Sequence, residues 1–370
     1  MARLKKRVSV DGEMLLMVGT KKGAFLFRSR DDRRTWKTSG PFFPGKQIYH
    51  FTYDRRNGML LASVNSEQWG PTVAISHDMG VSWKNSGKPP RFPKGSGQSV
   101  SRVWHIEPGN RDQPERLYLG VEPACLFRSD DAGESWQVDK GMLNHRTREQ
   151  WQPGNGGLCL HTILSDERNA RDLHAGISAV GTMFTSDDGG SWEFQNKNVL
   201  ADFFPGAKKY PEFGQCVHKI VRDARKPDNL FQQNHCGVFR SRDNGRKWTN
   251  IINNLPSRFG FPIAMDSSGE RRIFVAPLEG DFARIPAGGR FSVWASDNDG
   301  EEWFPLNRGI PRFSYFEVLR EGMKADGQDP CGVYFGTTTG QLYSSRSRGD
   351  SWSCISDGLP PIFSVETSLA

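Results

Sequence analysis

Short apolar segments alternate with polar turn residues along nearly the whole chain, a pattern typical of β-strands. The segments come in groups of four, as two well-formed stretches show: Leu158–Leu164, Asp172–Ile177, Gly181–Thr185 and Ser191–Gln195, then Cys216–Arg222, Asn229–Gln233, Gly237–Arg240 and Lys247–Ile251. The pattern therefore predicts repeated four-stranded units. It contains no apolar run of 18 residues, which excludes a transmembrane helix.

An eight-residue motif, Ser/Thr-x-Asp-x-Gly-x-x-Trp, follows the third segment of each unit. Seven copies are present, four intact and three lacking one residue; their tryptophans are Trp36, Trp83, Trp136, Trp192, Trp248, Trp303 and Trp352. A period of about 50 residues built from strands predicts a β-propeller with one blade per repeat. We therefore expect residues 1–370 to form a single all-β domain, a seven-bladed propeller.

The motif itself has a structural explanation. Its Asp and Ser can accept hydrogen bonds from backbone N–H groups of a tight turn, and its Gly supplies a positive φ. The Trp is suited to packing inside the blade. We therefore interpret the seven motifs as folding elements and not as functional sites.

The ends of the chain predict how the ring closes. The first motif follows only two segments, Met14–Gly19 and Ala24–Arg28, so one strand of that blade is missing. The last segment, Ile362–Leu369, has no motif of its own. It should pair beside the first strands and remove the open sheet edges.

Alignment of the innermost strands gives two informative columns. The first is apolar throughout and reads Tyr49, Trp104, Leu160, Val217, Phe261, Phe316 and Val365. The next reads His50, His105, His161, His218, Pro262, Glu317 and Glu366. Since innermost strands surround the propeller axis, four histidines in register should converge on the central channel.

Neutral imidazoles at one level are ligands for transition metals. We therefore predict one divalent ion held by His50, His105, His161 and His218, with Fe(II) as the first expectation and Zn, Mn or Cu as alternatives. Glu317 and Glu366 are the candidate catalytic carboxylates on the opposite side of the ring.

Strand direction predicts the face at which a substrate enters. The connections between blades and those between second and third strands share one face, and the longest loops of the chain belong to this group. The face should present Glu122 as a further catalytic candidate. The candidate substrate-binding residues there are Lys21, Trp69, Trp151 and His235.

Composition and charge limit the kinds of ligand and partner that we expect. The net charge is +7, without a dense basic run beyond the N-terminus, which favours a small anionic substrate over nucleic acid. The six cysteines form no C-x-x-C pair and are expected to be reduced. The basic start of the chain lacks an apolar signal core. We expect a cytoplasmic protein without a membrane partner, and the sequence indicates no oligomeric state.

The motif resembles the Asp box, or BNR repeat, of sialidases, xyloglucanases, sortilin-type receptors and a photosystem II assembly factor. Further segments resemble bacterial BNR-repeat proteins described as sialidase-like; they are Val18–Gly23, Gly40–Phe43, Trp104–Pro108, Trp151–Gly154 and Cys331–Gly336. A sialidase would have an Arg-Ile-Pro motif before its boxes and a Tyr nucleophile. Here Arg284-Ile285-Pro286 follows the fifth box, and no Tyr occupies the histidine column.

The histidine column also resembles, in plan only, the carotenoid cleavage oxygenases, which hold non-haem iron with four inner-strand histidines in seven blades. The leading hypothesis is a metal-dependent enzyme for a small organic substrate, a non-haem iron oxygenase first and a metal-assisted lyase or hydrolase second. The alternatives are a sialidase-like glycoside hydrolase using Glu317 and Glu366, and a non-catalytic scaffold for protein assembly.

Overall fold

A computed structural model describes residues 12–203, 208–266, 268 and 271–370. The basic segment 1–11, on which the expectation of a cytoplasmic chain depends, lies outside the described residues. Within them, 28 strands form seven four-stranded antiparallel sheets. The prediction of a seven-bladed propeller is confirmed.

Each sheet is one blade, with its innermost strand first in the order below. Blade 1 comprises β28 (Ile362–Leu369), β1 (Met14–Thr20), β2 (Gly23–Ser29) and β3 (Lys37–Phe42); blade 2, β4 (Gln47–Asp54), β5 (Met59–Ser66), β6 (Gly70–Ser76) and β7 (Lys84–Asn85); blade 3, β8 (Arg102–Pro108), β9 (Leu117–Glu122), β10 (Cys125–Ser129) and β11 (Gln137–Val138); blade 4, β12 (Leu160–Asp166), β13 (Asn169–Ile177), β14 (Gly181–Thr185) and β15 (Glu193–Phe194).

The remaining blades follow the same plan. Blade 5 comprises β16 (Val217–Arg222), β17 (Leu230–Asn234), β18 (Gly237–Ser241) and β19 (Thr249–Asn250); blade 6, β20 (Phe259–Asp266), β21 (Arg272–Leu278), β22 (Val293–Ser296) and β23 (Phe304–Leu306); blade 7, β24 (Met323–Ala325), β25 (Val333–Gly336), β26 (Leu342–Ser345) and β27 (Ser353–Ser356). The helices are short: α1 (Lys140–Leu143) and 3-10 turns at Arg148–Gln150 and Ala287–Gly289. None of the helices in the described ranges is long and apolar enough to span a bilayer.

The C-terminal strand closes the ring as predicted. β28 pairs antiparallel with β1, with Leu369 opposite Met14 and Ile362 opposite Thr20. Ile362 and Val365 are fully buried there. Because β28 supplies the innermost strand of blade 1, the two ends of the chain are joined by a hydrogen-bonded ladder.

The Asp boxes hold turns, as their chemistry suggests. In blade 3, Ser129 Oγ accepts a hydrogen bond from the Gly133 N–H, and the Asp131 carboxylate accepts from the backbone and hydroxyl of Ser135. Gly133 adopts a φ of 93°. The indole of Trp136 donates to Ser86 Oγ of blade 2 at 3.1 Å. The blade 3 box therefore fixes a turn and ties its blade to the preceding one.

The core lies between neighbouring blades. Its largest cluster joins blades 2, 3 and 4 through buried residues such as Leu61, Phe127 and Leu173. Gly120 on β9 has no side chain where the Leu160 carbonyl of blade 4 approaches, and a Cβ there would overlap that oxygen. Close approach near the axis brings the inner strands within reach of one another.

Candidate metal centre and axial cavity

Bulges in the innermost strands decide which side chains meet at the axis. In β8 the unpaired residue is Trp104, and His105 lies opposite Gly120. In β12 and β16 the unpaired residues are His161 and His218 themselves. An extra residue in a strand shifts every following side chain by one position.

This shift divides the predicted histidine ring into two levels. Thr162 and Lys219 take the position of His105 in blades 4 and 5. His161 and His218 instead take the position of Trp104. The expectation that all four histidines share one level is therefore wrong, because the alignment did not include the bulges.

The lower level contains a buried cluster of His50, His105, Glu321 and Glu366. The ligand-type atoms of His50, His105 and Glu321 all lie within 4.8 Å of one another. His105 Nδ1 is 3.7 Å from Glu321 Oε1, and His50 Nε2 is 3.5 Å from Glu366 Oε1. All four side chains are at most 8% exposed, in a cavity of about 240 Å³ or at its upper end.

Each of the two carboxylates has one oxygen bound by a lysine and one directed at a histidine. Lys324 Nζ lies 2.7 Å from Glu366 Oε2, and Lys219 binds Glu321 Oε2. Burial opposes the charged form of both acids, but Lys324 holds the pKa of Glu366 well below its usual range, and Lys219 lowers that of Glu321. Both acids are therefore carboxylates at neutral pH.

Burial, and then the neighbouring His105, lower the pKa of His50, so His50 is a neutral imidazole. The Ile106 N–H approaches His50 Nδ1 at 3.4 Å, the outer limit of a hydrogen bond. Glu107 Oε2 lies 3.5 Å from His105 Nε2. The neutral imidazole of His50 is the form that metal ligation requires.

A larger cavity of about 790 Å³ opens above this cluster, on the predicted loop face. Its wall is aromatic, and loops from blades 3 to 7 contribute to it; the aromatic residues are Tyr49, Trp104, Phe203, Phe213, Phe259, Phe261 and Phe363. Glu321 borders this cavity, and its carboxylate also belongs to the buried cluster. The cavity therefore leads from the loop face to the cluster at the axis.

A second group of ligand-type atoms lies in the wall of the upper cavity. Cys216 Sγ is 3.5 Å from His218 Nε2, and His235 completes the group. His218 Nδ1 donates to the Gly260 carbonyl, and His235 Nε2 lies 3.9 Å from Asp281. Burial raises the pKa of the Cys216 thiol and lowers those of both histidines. His161, which also lines this cavity, binds the Val217 carbonyl through Nε2 at 2.9 Å.

Two guanidinium groups reach the same cavity. Arg284 lies over the Phe261 ring and 3.7 Å from Glu317. Arg320 lies near the Trp104 and Phe261 rings, with centroid distances of 5.8 and 5.5 Å. Its Nη2 donates to Ser178 Oγ at 3.3 Å. Neither arginine was among the residues that the sequence pattern predicted to bind a substrate.

The remaining predicted residues are spread over several places. Glu317 precedes β24 instead of lying in it, and burial raises its pKa against the opposing effect of Arg284. Glu122 accepts from Arg102 and from the Trp104 indole. Neither of these glutamates touches the buried cluster.

Of the four predicted substrate-binding residues, one lines the upper cavity and three do not. Trp151 is only 5% exposed, and its indole donates to Thr147 Oγ1, so it is a packing residue and not a stacking platform. Trp69 is 85% exposed, and neither it nor Lys21 is among the residues that line the upper cavity. His235 does line that cavity, as predicted for a substrate-facing residue.

Sequence reasoning missed Glu321, and a signal was available. The inner strands of blades 2, 4, 5, 6 and 7 each end at an aspartate or directly before one, at Asp54, Asp166, Asp223, Asp266 and Asp326. Counting back five residues from Asp326, as from Asp166 to His161, gives Glu321 and not Glu317. The aspartate would therefore have indicated Glu321 as the candidate carboxylate of blade 7.

Comparison with known proteins identifies similar folds. No family model matches the chain. The oligoxyloglucan-reducing end-specific xyloglucanase of Emericella nidulans is 23% identical over 226 residues, which cover 52% of this chain and 26% of that enzyme. The crystal structure of an ancestral GH74 enzyme has a TM-score of 0.57 at 15% identity and covers 80% of this chain and 36% of its own.

YCF48 from Cyanidioschyzon merolae has a TM-score of 0.53 at 12% identity, over 85% of this chain and 87% of its own. The chain spans 26% of the curated xyloglucanase, 36% of the ancestral GH74 enzyme and most of YCF48. The predicted resemblance to propellers of the xyloglucanase and assembly-factor type is confirmed at the level of the fold. Propellers of this type include both enzymes and scaffolds.

Proposed function

We propose that this chain is a metal-dependent enzyme in which His50, His105 and Glu321 bind one divalent transition-metal ion at the propeller axis. The observation that carries the proposal is a set of buried polar atoms without hydrogen-bond partners among the described residues. They are His50 Nε2, His105 Nδ1, His105 Nε2 and Glu321 Oε1. Buried polar atoms are nearly always paired, so four unpaired atoms in one cluster need an explanation.

The spacing of these atoms suits a shared ion better than direct hydrogen bonds. The separations of 3.5 and 3.7 Å are too long for strong hydrogen bonds. Ligands bonded to one tetrahedral ion at roughly 2.1 Å lie about 3.4 Å apart. An ion between the histidines and Glu321 would satisfy His50 Nε2, His105 Nδ1 and Glu321 Oε1 together.

The protons of the cluster can be arranged to suit this ion. Ligation through His50 Nε2 places the imidazole proton on Nδ1, so the 3.4 Å contact with the Ile106 N–H has to lengthen. Ligation through His105 Nδ1 leaves Nε2–H free to donate to Glu107. A carboxylate behind a ligand histidine orients the ring and strengthens its basicity.

The cysteine-containing group is a poorer metal site. His218 Nδ1 donates to the Gly260 carbonyl, and its Nε2 contacts Cys216 Sγ. No atom of Cys216, His218 or His235 is among the buried polar atoms without partners in the described ranges. This contrast supports the assignment of the ion to the axial cluster.

Two histidines and one carboxylate are the ligand set of non-haem Fe(II) oxygenases, and they leave coordination positions open. Oxygenation is therefore the first reaction class that we propose, and metal-assisted lyase or hydrolase chemistry is the second. A substrate would enter through the aromatic cavity, whose wall includes Glu321.

Metal content measured on protein purified without a histidine tag tests the proposal. We expect about one ion per chain in the native protein and a loss of most of it in His50→Ala, His105→Ala and Glu321→Gln. The matched control is His77→Ala, which removes an exposed histidine in the turn of blade 2. This variant should keep the metal of the native protein. Equal metal content in all five proteins would contradict the proposal.

Glycoside hydrolysis is the second candidate, and the similarity to a xyloglucanase favours it. The raised pKa of Glu317 suits a general acid. Glu366, its predicted partner, is instead bound to Lys324. Turnover of a chromogenic glycoside that survives complete chelation and is lost in Glu317→Gln would support hydrolysis over metal catalysis.

A further inference from the structure

We propose that the upper cavity binds a carboxylate carried on a flat apolar body, with Arg320 as the residue that binds the carboxylate. This inference names the substrate class of the proposed enzyme and in that sense rests on the proposed function. Binding of the anion itself does not require the metal ion. The two proposals can therefore fail separately.

Arg320 is a charged group with unused donors. Its Nε is buried and has no hydrogen-bond partner within the described ranges. Its one recorded hydrogen bond runs from Nη2 to Ser178 Oγ, and no described carboxylate lies within 4.0 Å of it. Arg320 is partly exposed and borders the upper cavity, so a carboxylate bound there could accept hydrogen bonds from its guanidinium.

The other charges around the cavity are already paired. Arg284 lies 3.7 Å from Glu317, and His235 lies 3.9 Å from Asp281. Lys219 binds Glu321. Burial, followed by the charge of Arg320, keeps the pKa of His161 and His218 well below the ordinary value, so these rings are neutral. Arg320 thus contributes a positive charge that has no carboxylate within ion-pair distance among the described residues.

The rings around Arg320 define the shape of the ligand. The guanidinium of Arg320 lies near the rings of Trp104 and Phe261. These rings approach the flat face of the guanidinium, and its N–H edge is left for oxygen acceptors. Tyr49 continues the aromatic wall, with centroid distances of 4.4 Å to Trp104 and 4.8 Å to Phe363. Rings arranged in this way stack on a flat apolar group while the carboxylate meets the guanidinium edge-on.

The size of the cavity agrees with such a ligand. Its volume of about 790 Å³ falls within the range of sites for small organic molecules. Several loops contribute to the wall, so a molecule bound there would contact more than one blade. A single small inorganic anion would leave most of the aromatic surface without contacts.

The test uses 2-naphthoate as the probe and 2-naphthamide as its uncharged counterpart. Both are titrated into chelator-treated protein by calorimetry. We expect the carboxylate to bind and Arg320→Met to weaken it roughly tenfold to a hundredfold, as for a lost hydrogen bond to a charged group. The amide should bind weakly to both proteins, and the variant should not change its affinity.

Two further variants keep the result interpretable. Arg258→Met removes an arginine of the loop before β20 that is paired with Asp202, and it should leave binding unchanged. Arg320→Lys keeps the charge but loses the forked geometry, and it should give an intermediate affinity. If the melting curve of Arg320→Met shows that this variant does not fold, the affinity of Arg320→Lys for naphthoate takes its place in the test.

Some results would overturn the inference. They are equal affinity for carboxylate and amide, unchanged binding in a folded Arg320 variant, or no binding of naphthoate up to about 10 mM, the limit of weak affinity. Naphthoate binding in His105→Ala together with an absence of metal in the native protein would remove the proposed enzyme but leave this site intact.

Discussion

The polar residues of the Asp boxes and those at the propeller axis differ in how many hydrogen-bond partners they have. Those of the Asp boxes have full sets of partners; Asp187, for example, accepts from the hydroxyl of Thr185 and from the backbone and hydroxyl of Ser191. Those at the axis, such as His105, have buried nitrogens without partners among the described residues. Structural roles explain the first group, and the ion that we propose would give partners to the second.

The Asp-box carboxylates should make the fold sensitive to acid. Hydrogen bonds from Thr185 and Ser191 lower the pKa of Asp187 from 3.8 to about 2. The folded pKa is below the unfolded one, so the stability it contributes is present above about pH 4 and is lost as the pH falls towards 2. We expect Asp187→Asn to remove this part of the pH dependence, as seen in the free energy of unfolding by urea between pH 5 and 2.

Blade 6 provides the comparison for that substitution. Its box has Asn298 at the same position, and the amide oxygen accepts from the Ser296 hydroxyl and the Glu302 N–H. The turn therefore forms with asparagine. The reverse change, Asn298→Asp, should increase acid sensitivity, and identical pH profiles for all three proteins would show that these carboxylates do not contribute.

At the scale of strands, the inner β-bulges matter most. They turn Trp104, His161 and His218 towards the upper cavity, while His50 and His105 point to the cluster below. The sequence predicted blade number, ring closure and the histidine strands, because all of these follow from repeat period and strand count. It did not predict the levels, since a bulge leaves no mark in a hydrophobic pattern.

The bulge in β12 gives a prediction that separates the two levels. His161 Nε2 is occupied by the Val217 carbonyl. His161→Ala should therefore keep the bound metal and lose stability, whereas His105→Ala should lose the metal. Metal content and melting temperature measured on the same samples distinguish these outcomes. Metal loss in His161→Ala would restore the interpretation in which all four histidines bind one ion.

The closing strand is the second element with a sharp test. β28 forms the inner edge of blade 1, and Val365 is fully buried against its neighbours. Deleting residues 362–370 should destabilise the whole propeller, because it exposes an unpaired edge and opens the core of blade 1. Ser368→Ala is the control, since it leaves backbone pairing unchanged. A melting temperature of the truncated protein close to that of the control would show that closure is dispensable.

On the scale of the whole molecule, the propeller separates folding from chemistry. The Asp boxes bind turns on one face, and the long loops that enclose the aromatic cavity lie on the other. The axial cluster lies between them, where inner strands of blades 2, 3 and 1 meet the segment before β24. The four side chains of the cluster come from distant parts of the sequence, so only the closed ring brings them together.

Anomalous X-ray diffraction is the most direct test of whether the axial cluster binds an ion. Data collected on either side of the absorption edge of iron, zinc, manganese or copper would locate the ion in crystals of untagged protein. We predict one peak within roughly 2.0–2.3 Å of His50 Nε2, His105 Nδ1 and Glu321 Oε1. No anomalous peak there after growth and soaking with these metals, or a peak at Cys216 and His218 instead, would contradict the account.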